Sequence, residues 1–83
     1  MTFTVIWDRT AVNQLANLWM QAPDRQAVTD SHDRIERELR VDADKKGAPF
    51  GPFRILIDSP LSVLFTVDPG DCMVRVRHVL RNQ

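Results

Sequence analysis

The sequence is poor in cysteine, in net charge and in long apolar stretches. Cys72 is its single cysteine, which excludes an internal disulfide and any paired-cysteine metal motif, so we expect a reducing, cytoplasmic setting. Eleven basic and eleven acidic residues cancel, whereas domains that bind nucleic acid without selectivity are usually clearly basic. No apolar run approaches the roughly 20 residues of a membrane-spanning helix, and Met1–Thr10 lacks the pattern of a signal peptide. We therefore expect no membrane partner, no cofactor and no bound metal.

Length and composition predict one small folded domain over residues 1–83. A chain of this size buries only about 60–65% of its unfolded surface, so it can build one modest core. The apolar share of 43% is sufficient for that core and argues against disorder.

The first half of the sequence predicts one strand followed by two helices. Apolar, β-branched and aromatic residues alternate over Thr2–Trp7, which is typical of a strand. Helical spacing of apolar residues predicts a first helix over Ala11–Ala22 and a second over about Arg25–Arg40. The second helix has a narrow apolar stripe and many charges, so it should lie on the surface. Residues that can cap these helices are Asp8 or Thr10 for the first and Asp24 for the second.

The second half predicts a loop and three strands. Two glycines and two prolines make Asp42–Pro52 the obvious loop. Alternating runs then predict strands over Phe53–Asp58, Leu61–Asp68 and Cys72–Arg81, joined by short turns. The order β-α-α-β-β-β predicts an α+β fold, in which a helical hairpin packs on one face of a mainly antiparallel four-stranded sheet.

Strict alternation divides the last strand into two faces. The face expected to point toward the helices contains Val74, Val76, His78 and Leu80. The opposite face contains Arg75, Arg77, Val79 and Arg81, and Arg54 of a neighbouring strand would join it. The candidate contacts to a partner protein or to nucleic acid are Arg75, Arg77, Lys45 and Lys46. The alternative is a solvated face or a charged edge that blocks aggregation, with His78 as a half-buried structural histidine.

With these elements the chain resembles the RelE/ParE superfamily of toxin–antitoxin toxins, and most of all its ParE-like, plasmid-stabilisation branch. The segments that carry the resemblance are Thr4-Val5-Ile6-Trp7, Ala11–Trp19, Leu39-Arg40 at the end of the second helix, the loop Asp42–Pro49, Phe53-Arg54-Ile55-Leu56, Leu61–Asp68 and Val74–Arg81. The resemblance implies a small cytoplasmic toxin and an antitoxin that wraps it. RelE-like members of the superfamily cleave mRNA in the ribosomal A site, whereas ParE-like members inhibit DNA gyrase.

The resemblance also implies a set of site residues. Arg54 matches the first strand arginine of the ribonuclease branch, and His78 and Arg81 match its end-of-strand positions. The second strand arginine of that branch falls at or near Ser62, and the sequence contains no tyrosine to match the aromatic residue that often follows the last strand. RNA cleavage without a metal needs an acid, a base and cations at the phosphate. The candidate catalytic residues are therefore Arg54, His78 and Arg81.

The missing arginine and the neutral charge favour a toxin that acts by binding a protein, with DNA gyrase as a candidate target and a cognate antitoxin as the neutralising partner. Such a protein is not an enzyme. One alternative is a metal-independent, ribosome-dependent mRNA endoribonuclease, and a further alternative is a non-toxic binding module of the same fold. In each case an uncovered apolar patch should make the free chain self-associate, with a homodimer as the simplest product.

Overall fold

The protein is described by a computed structural model that covers residues 1–82. The elements in chain order are β1 (Thr4–Trp7), α1 (Arg9–Gln21), α2 (Arg25–Leu39), a 3-10 turn (Ala43–Lys45), β2 (Ala48–Phe50), β3 (Phe53–Asp58), β4 (Leu61–Asp68) and β5 (Met73–Arg81). Both predicted helices and all four predicted strands are confirmed to within two residues at their ends. Across residues 1–82, neither helix has the length and apolar character needed to cross a membrane.

The sheet has five strands in the order β1-β5-β4-β3-β2. β1 is parallel to β5, and the remaining neighbours are antiparallel. The unexpected strand is β2, which lies inside the segment predicted as a loop, so the prediction of four strands is wrong by one. It pairs with β3 from Ala48↔Ile55 to Phe50↔Phe53. Its central residue, Pro49, is tolerated because an edge strand leaves one side of its backbone unpaired.

Both helices pack on one face of the sheet, as predicted. α1 contacts β5, and α2 contacts β3 and β4. Between the two layers, fully buried side chains form the core, among them Ala11, Ile35, Leu39, Val63, Phe65, Val74 and Val76. α2 begins at Asp24, whose carboxylate accepts the backbone N–H of Ala27 at 3.1 Å, so the predicted cap is confirmed. Asp8 stands at the cap position of α1, but its side chain makes no capping hydrogen bond.

A β-bulge interrupts the pairing of β4 with β5. Leu64 pairs with His78, while the next residue, Phe65, pairs with Val76, so Arg77 has no partner across the ladder. One extra residue in a strand shifts every later side chain to the opposite face of the sheet. The alternation of β5 is therefore inverted after the bulge.

The inversion corrects the predicted faces of the last strand. Val79, expected outside, is buried at 2% exposure, whereas Leu80, expected in the core, is 41% exposed. Arg81 pairs with Leu61, a core residue, so it lies on the helix side of the sheet. His78 joins Leu80 on the side away from the helices. We call this side, opposite the core, the open face; α1 borders it at the edge of β5 through Thr10 and Gln14.

Candidate functional site

The centre of the candidate site is Asp8, which lies between two arginines of β5. Asp8 directly follows β1, and because β1 runs parallel to β5 it ends beside Arg75 and Arg77. One carboxylate oxygen of Asp8 is 3.1 Å from Nη1 of Arg75, and the other is 3.0 Å from Nη1 of Arg77. Nε of Arg77 also donates to the hydroxyl of Thr66 at 3.3 Å. The two arginines predicted as partner contacts are thus together, but an internal carboxylate bridges them.

The charges of this cluster alter the pKa of Asp8. Partial desolvation raises the pKa of the Asp8 carboxyl, but hydrogen bonds and charge from Arg75 and Arg77 outweigh it and hold the pKa below its usual value. Asp8 is therefore ionised at neutral pH and cancels one of the two positive charges. The arginine side chains remain 41% exposed and that of Asp8 24% exposed, so solvent and ligands reach the cluster.

His78 lies beside this cluster and is held by Gln14 of α1. The side-chain oxygen of Gln14 accepts the backbone N–H of Val79 at 2.8 Å, and its amide nitrogen lies 3.4 Å from Nδ1 of His78. An amide nitrogen donates, so this contact is a hydrogen bond in the tautomer whose Nδ1 accepts. Phe53 meets the ring edge to face, with centroids 5.7 Å apart. Gln14 and Phe53 together fix the orientation of the imidazole.

A shallow pocket joins these groups on the open face. Its lining residues are Asp8, Thr10, Pro52, Phe53, Thr66, Arg77 and His78. Exposed apolar side chains share this face of the sheet. Ile57 of β3 is 58% exposed and Leu80 of β5 is 41% exposed. They flank Ser62 of β4, which pairs with Ile57 on one side and with Leu80 on the other. The open face therefore combines a charged end with an apolar end.

Arg54 lies on the other side of the sheet. It pairs in register with Phe65, whose side chain is in the core, so the prediction that Arg54 belongs to the open face is wrong. Its Nε donates to the carbonyl of Lys46 at 2.8 Å and its Nη2 donates to the carbonyl of Gly47 at 3.2 Å. These bonds attach the 3-10 turn segment to the sheet.

The other predicted site residues are dispersed. Arg81 is exposed on the helix side and lines a small apolar cavity with Leu18 and Pro60. Lys46 forms an ion pair with Glu38 of α2 at 3.3 Å, and Lys45 is exposed in the 3-10 turn. Arg54, His78 and Arg81 are therefore not brought onto one face.

Two residues of the cluster, Asp8 and Gln14, were not predicted as site residues. Asp8 is predicted only as a helix cap, and Gln14 belongs to the polar face of an amphipathic helix. The signal that identifies Asp8 is its position directly after a strand, but using it requires knowledge that β1 pairs with β5. Within residues 1–82, no group of three His, Cys, Asp or Glu side chains is placed to hold a metal ion.

A second exposed surface runs between the helices, away from the sheet. On α1 it includes Val12, Trp19 and Met20, which are 49%, 40% and 64% exposed. On α2 it includes His32 and Val28. We call this surface the hairpin groove. The guanidinium of Arg25 stacks on the ring of Trp19, with its carbon 4.6 Å from the ring centroid, so the rim of the groove is basic at this end.

Comparison with known proteins supports the fold. No protein-family model matches the chain, and no curated protein matches its sequence. Among solved structures, a chain of the RelBE2 toxin-antitoxin complex from Mycobacterium tuberculosis is 14% identical, with a TM-score of 0.77 over 98% of this chain and 92% of that one.

A chain of the chromosomal ParDE toxin-antitoxin system from P. aeruginosa is also 14% identical, with a TM-score of 0.74 over 99% and 98% of the two chains. A mutant of the E. coli toxin RelE in the free state is 17% identical, with a TM-score of 0.56 over 98% and 84%. The chain therefore has the fold of RelE and ParE toxin–antitoxin proteins, as its sequence resemblance implies.

Proposed function

We propose that this protein is the toxin of a type II toxin–antitoxin system, and that it acts in the cytoplasm by binding a protein. The observation that carries the proposal is the match of almost the whole chain to proteins of such systems, on both the RelE and the ParE side. A cognate antitoxin neutralises it. DNA gyrase, the target that the ParE-like resemblance implies, is the candidate to test first.

The arginines already form hydrogen bonds within the chain, and this favours protein binding over catalysis. Arg75 and Arg77 donate to Asp8, and Arg54 donates to two backbone carbonyls. Cleavage of a phosphodiester needs cations that are already directed at the charge that develops on the phosphate. In this chain the guanidinium groups are directed at internal acceptors instead. The position at which the ribonuclease branch carries its second arginine falls at or near Ser62, which is 5% exposed. The open face is therefore better suited to binding a partner than to catalysing RNA cleavage.

The proposal is tested by inducible expression of the chain alone and together with any small reading frame that genome sequencing finds next to its gene. We expect growth arrest from the chain alone and recovery on co-expression. Purified chain should then be added to a gyrase supercoiling assay. Growth arrest with unchanged supercoiling would exclude gyrase as the target, whereas unimpaired growth would exclude a toxin and favour the non-toxic binding module.

A second candidate function is ribosome-dependent cleavage of mRNA. The observation that favours it is the place of His78, which the bulge brings onto the open face beside Arg77, with its imidazole oriented by Gln14. An oriented histidine next to an arginine supplies one acid or base group and one cation of the set that metal-free RNA cleavage needs. Mapping of cellular RNA ends after induction tests it. RNA ends at fixed codon positions should disappear in His78→Ala and persist in the control His32→Ala if the protein cleaves mRNA. That result would overturn protein binding as the function.

A further inference from the structure

We infer that Asp8 is an internal competitor at a carboxylate-binding site formed by Arg75 and Arg77, and that the external ligand of this site is an acidic, amphipathic segment of a partner protein. The pair is seen holding a carboxylate, one oxygen at each guanidinium. Each of the two contacts is a charge-assisted hydrogen bond from one guanidinium nitrogen, so two arginines together bind both oxygens of one carboxylate. The inference rests on the proposed function only in taking a protein as the partner.

An outside carboxylate can reach the arginines, and Asp8 has somewhere else to go. The three side chains are part-exposed rather than enclosed, so a ligand can approach the guanidinium groups. Arg77 keeps its bond to the hydroxyl of Thr66 when Asp8 leaves, which holds one guanidinium in place. Asp8 also has an alternative position, because it occupies the cap position of α1 without capping it. Aspartate is among the preferred residues for that role, so the released side chain can accept a backbone N–H of the first turn.

The surroundings of the cluster favour a protein ligand over a nucleic acid. Ile57 and Leu80 are large, exposed and on the same face as the arginines, and such a patch is typical of a protein contact surface. With Asp8 in place the cluster has a net charge of only one, which gives weak attraction for a polyanion. A segment that alternates acidic and apolar side chains would place carboxylates at the arginines and its apolar residues along the sheet.

The test is a binding titration by fluorescence anisotropy with three labelled probes. These are a 12-residue peptide of alternating glutamate and leucine, the same peptide with glutamine for glutamate, and a 12-nucleotide oligouridine. The key variant is Asp8→Asn, with Asp8→Ser as a second variant because serine also caps helices well. Asp71→Asn is the matched control, since it removes the same charge from an exposed turn. Circular dichroism verifies the fold of each variant.

We expect Asp8→Asn and Asp8→Ser to bind the glutamate peptide about fivefold more tightly than the unchanged chain, because part-exposed ion pairs such as those of Asp8 with Arg75 and Arg77 are individually weak. The gain should vanish when Arg75→Ala and Arg77→Ala are added, and Asp71→Asn should lack it. Equal or weaker peptide binding by both folded Asp8 variants would overturn the competitor role. Tighter oligouridine binding without tighter peptide binding would overturn the protein ligand. Neither readout depends on growth arrest, so the failure of this inference is separable from that of the proposed function.

Discussion

Substitution of Gly47 by alanine is the sharpest test of how the segment before β2 is held. Gly47 has φ +71°, and an added Cβ would lie 2.6 Å from the carbonyl oxygen of Ile55 and 3.0 Å from the ring of Phe65. Gly51 is a matched control in the same segment, because it has φ +58° and no heavy atom within 4 Å of an added Cβ. Both substitutions put alanine into a left-handed backbone conformation, but only the one at Gly47 also creates a steric clash.

The two variants should therefore differ by the cost of the contact alone. A left-handed backbone costs an L-residue roughly 1–2 kcal/mol, which both variants lose. Relief of the contact at Gly47 requires the backbone of β3 or a core ring to move, and such overpacking typically costs about 1–3 kcal/mol. We expect Gly47→Ala to be less stable than Gly51→Ala by about 2 kcal/mol, a large share of the roughly 4–12 kcal/mol expected for a chain of this size.

Urea unfolding followed by tryptophan fluorescence and circular dichroism measures this difference. With a slope of about 1 kcal/mol per molar urea, the midpoint of Gly47→Ala should lie about 2 M below that of Gly51→Ala. Equal midpoints and equal slopes would refute the reasoning, because they would mean that the carbonyl of Ile55 yields without cost. A lower midpoint for Gly51→Ala would refute it more strongly.

Three further predictions concern other parts of the molecule. Arg54→Ala should lower the free energy of unfolding by about 1–2 kcal/mol, because two hydrogen bonds to backbone carbonyls are lost. Arg81→Ala, at an exposed site, should change it by less than about 0.5 kcal/mol. Urea titration compares the two variants, and equal effects would contradict a structural role for Arg54. Because the folded-state pKa of Asp8 is lowered, its contribution is fully present above the unfolded pKa of about 3.9 and is lost as pH falls through the folded value. The stability of Asp8→Asn should consequently fall less than that of the unchanged chain between about pH 5 and pH 2, and parallel curves from urea titrations would count against the ion pairs. Met20→Lys should reduce self-association of the free chain by placing a charge in the hairpin groove, as measured by sedimentation velocity; an unchanged sedimentation coefficient across concentrations for both proteins would show that the groove is not a self-association surface.

Local periodicity is sufficient to predict most of the elements. Leu61–Asp68 forms the strand that its β-branched and aromatic residues predict, with Leu61, Val63 and Phe65 in the core. α1 and α2 each carry an apolar stripe at helical spacing, so pattern and structure coincide there as well. β2 carries no such signal. It has three residues and a central proline, and it exists as a strand because β3 offers an unpaired edge.

The candidate site is less predictable than the elements that hold it. The bulge at Arg77 inverts the faces of the residues after it, and nothing in the local run Val76-Arg77-His78 marks its position. The contacts of Asp8 join residues 67 and 69 positions apart. They follow from the parallel pairing of β1 with β5, which is a property of the whole sheet. Alternation can therefore predict that arginines lie along β5, but it cannot predict their counter-ion.

The pairing of β1 with β5 also has a consequence for the order in which the chain folds. β3, β4 and β5 are joined by short turns, so their contacts are local, whereas β1 pairs with β5, which lies at the far end of the sequence. Closing such a long loop costs chain entropy before any contact compensates for it, and topologies of this kind fold more slowly than helical bundles. We expect β1 and Asp8 to dock after the rate-limiting step, so that destabilising changes there speed unfolding and leave the folding rate nearly unchanged.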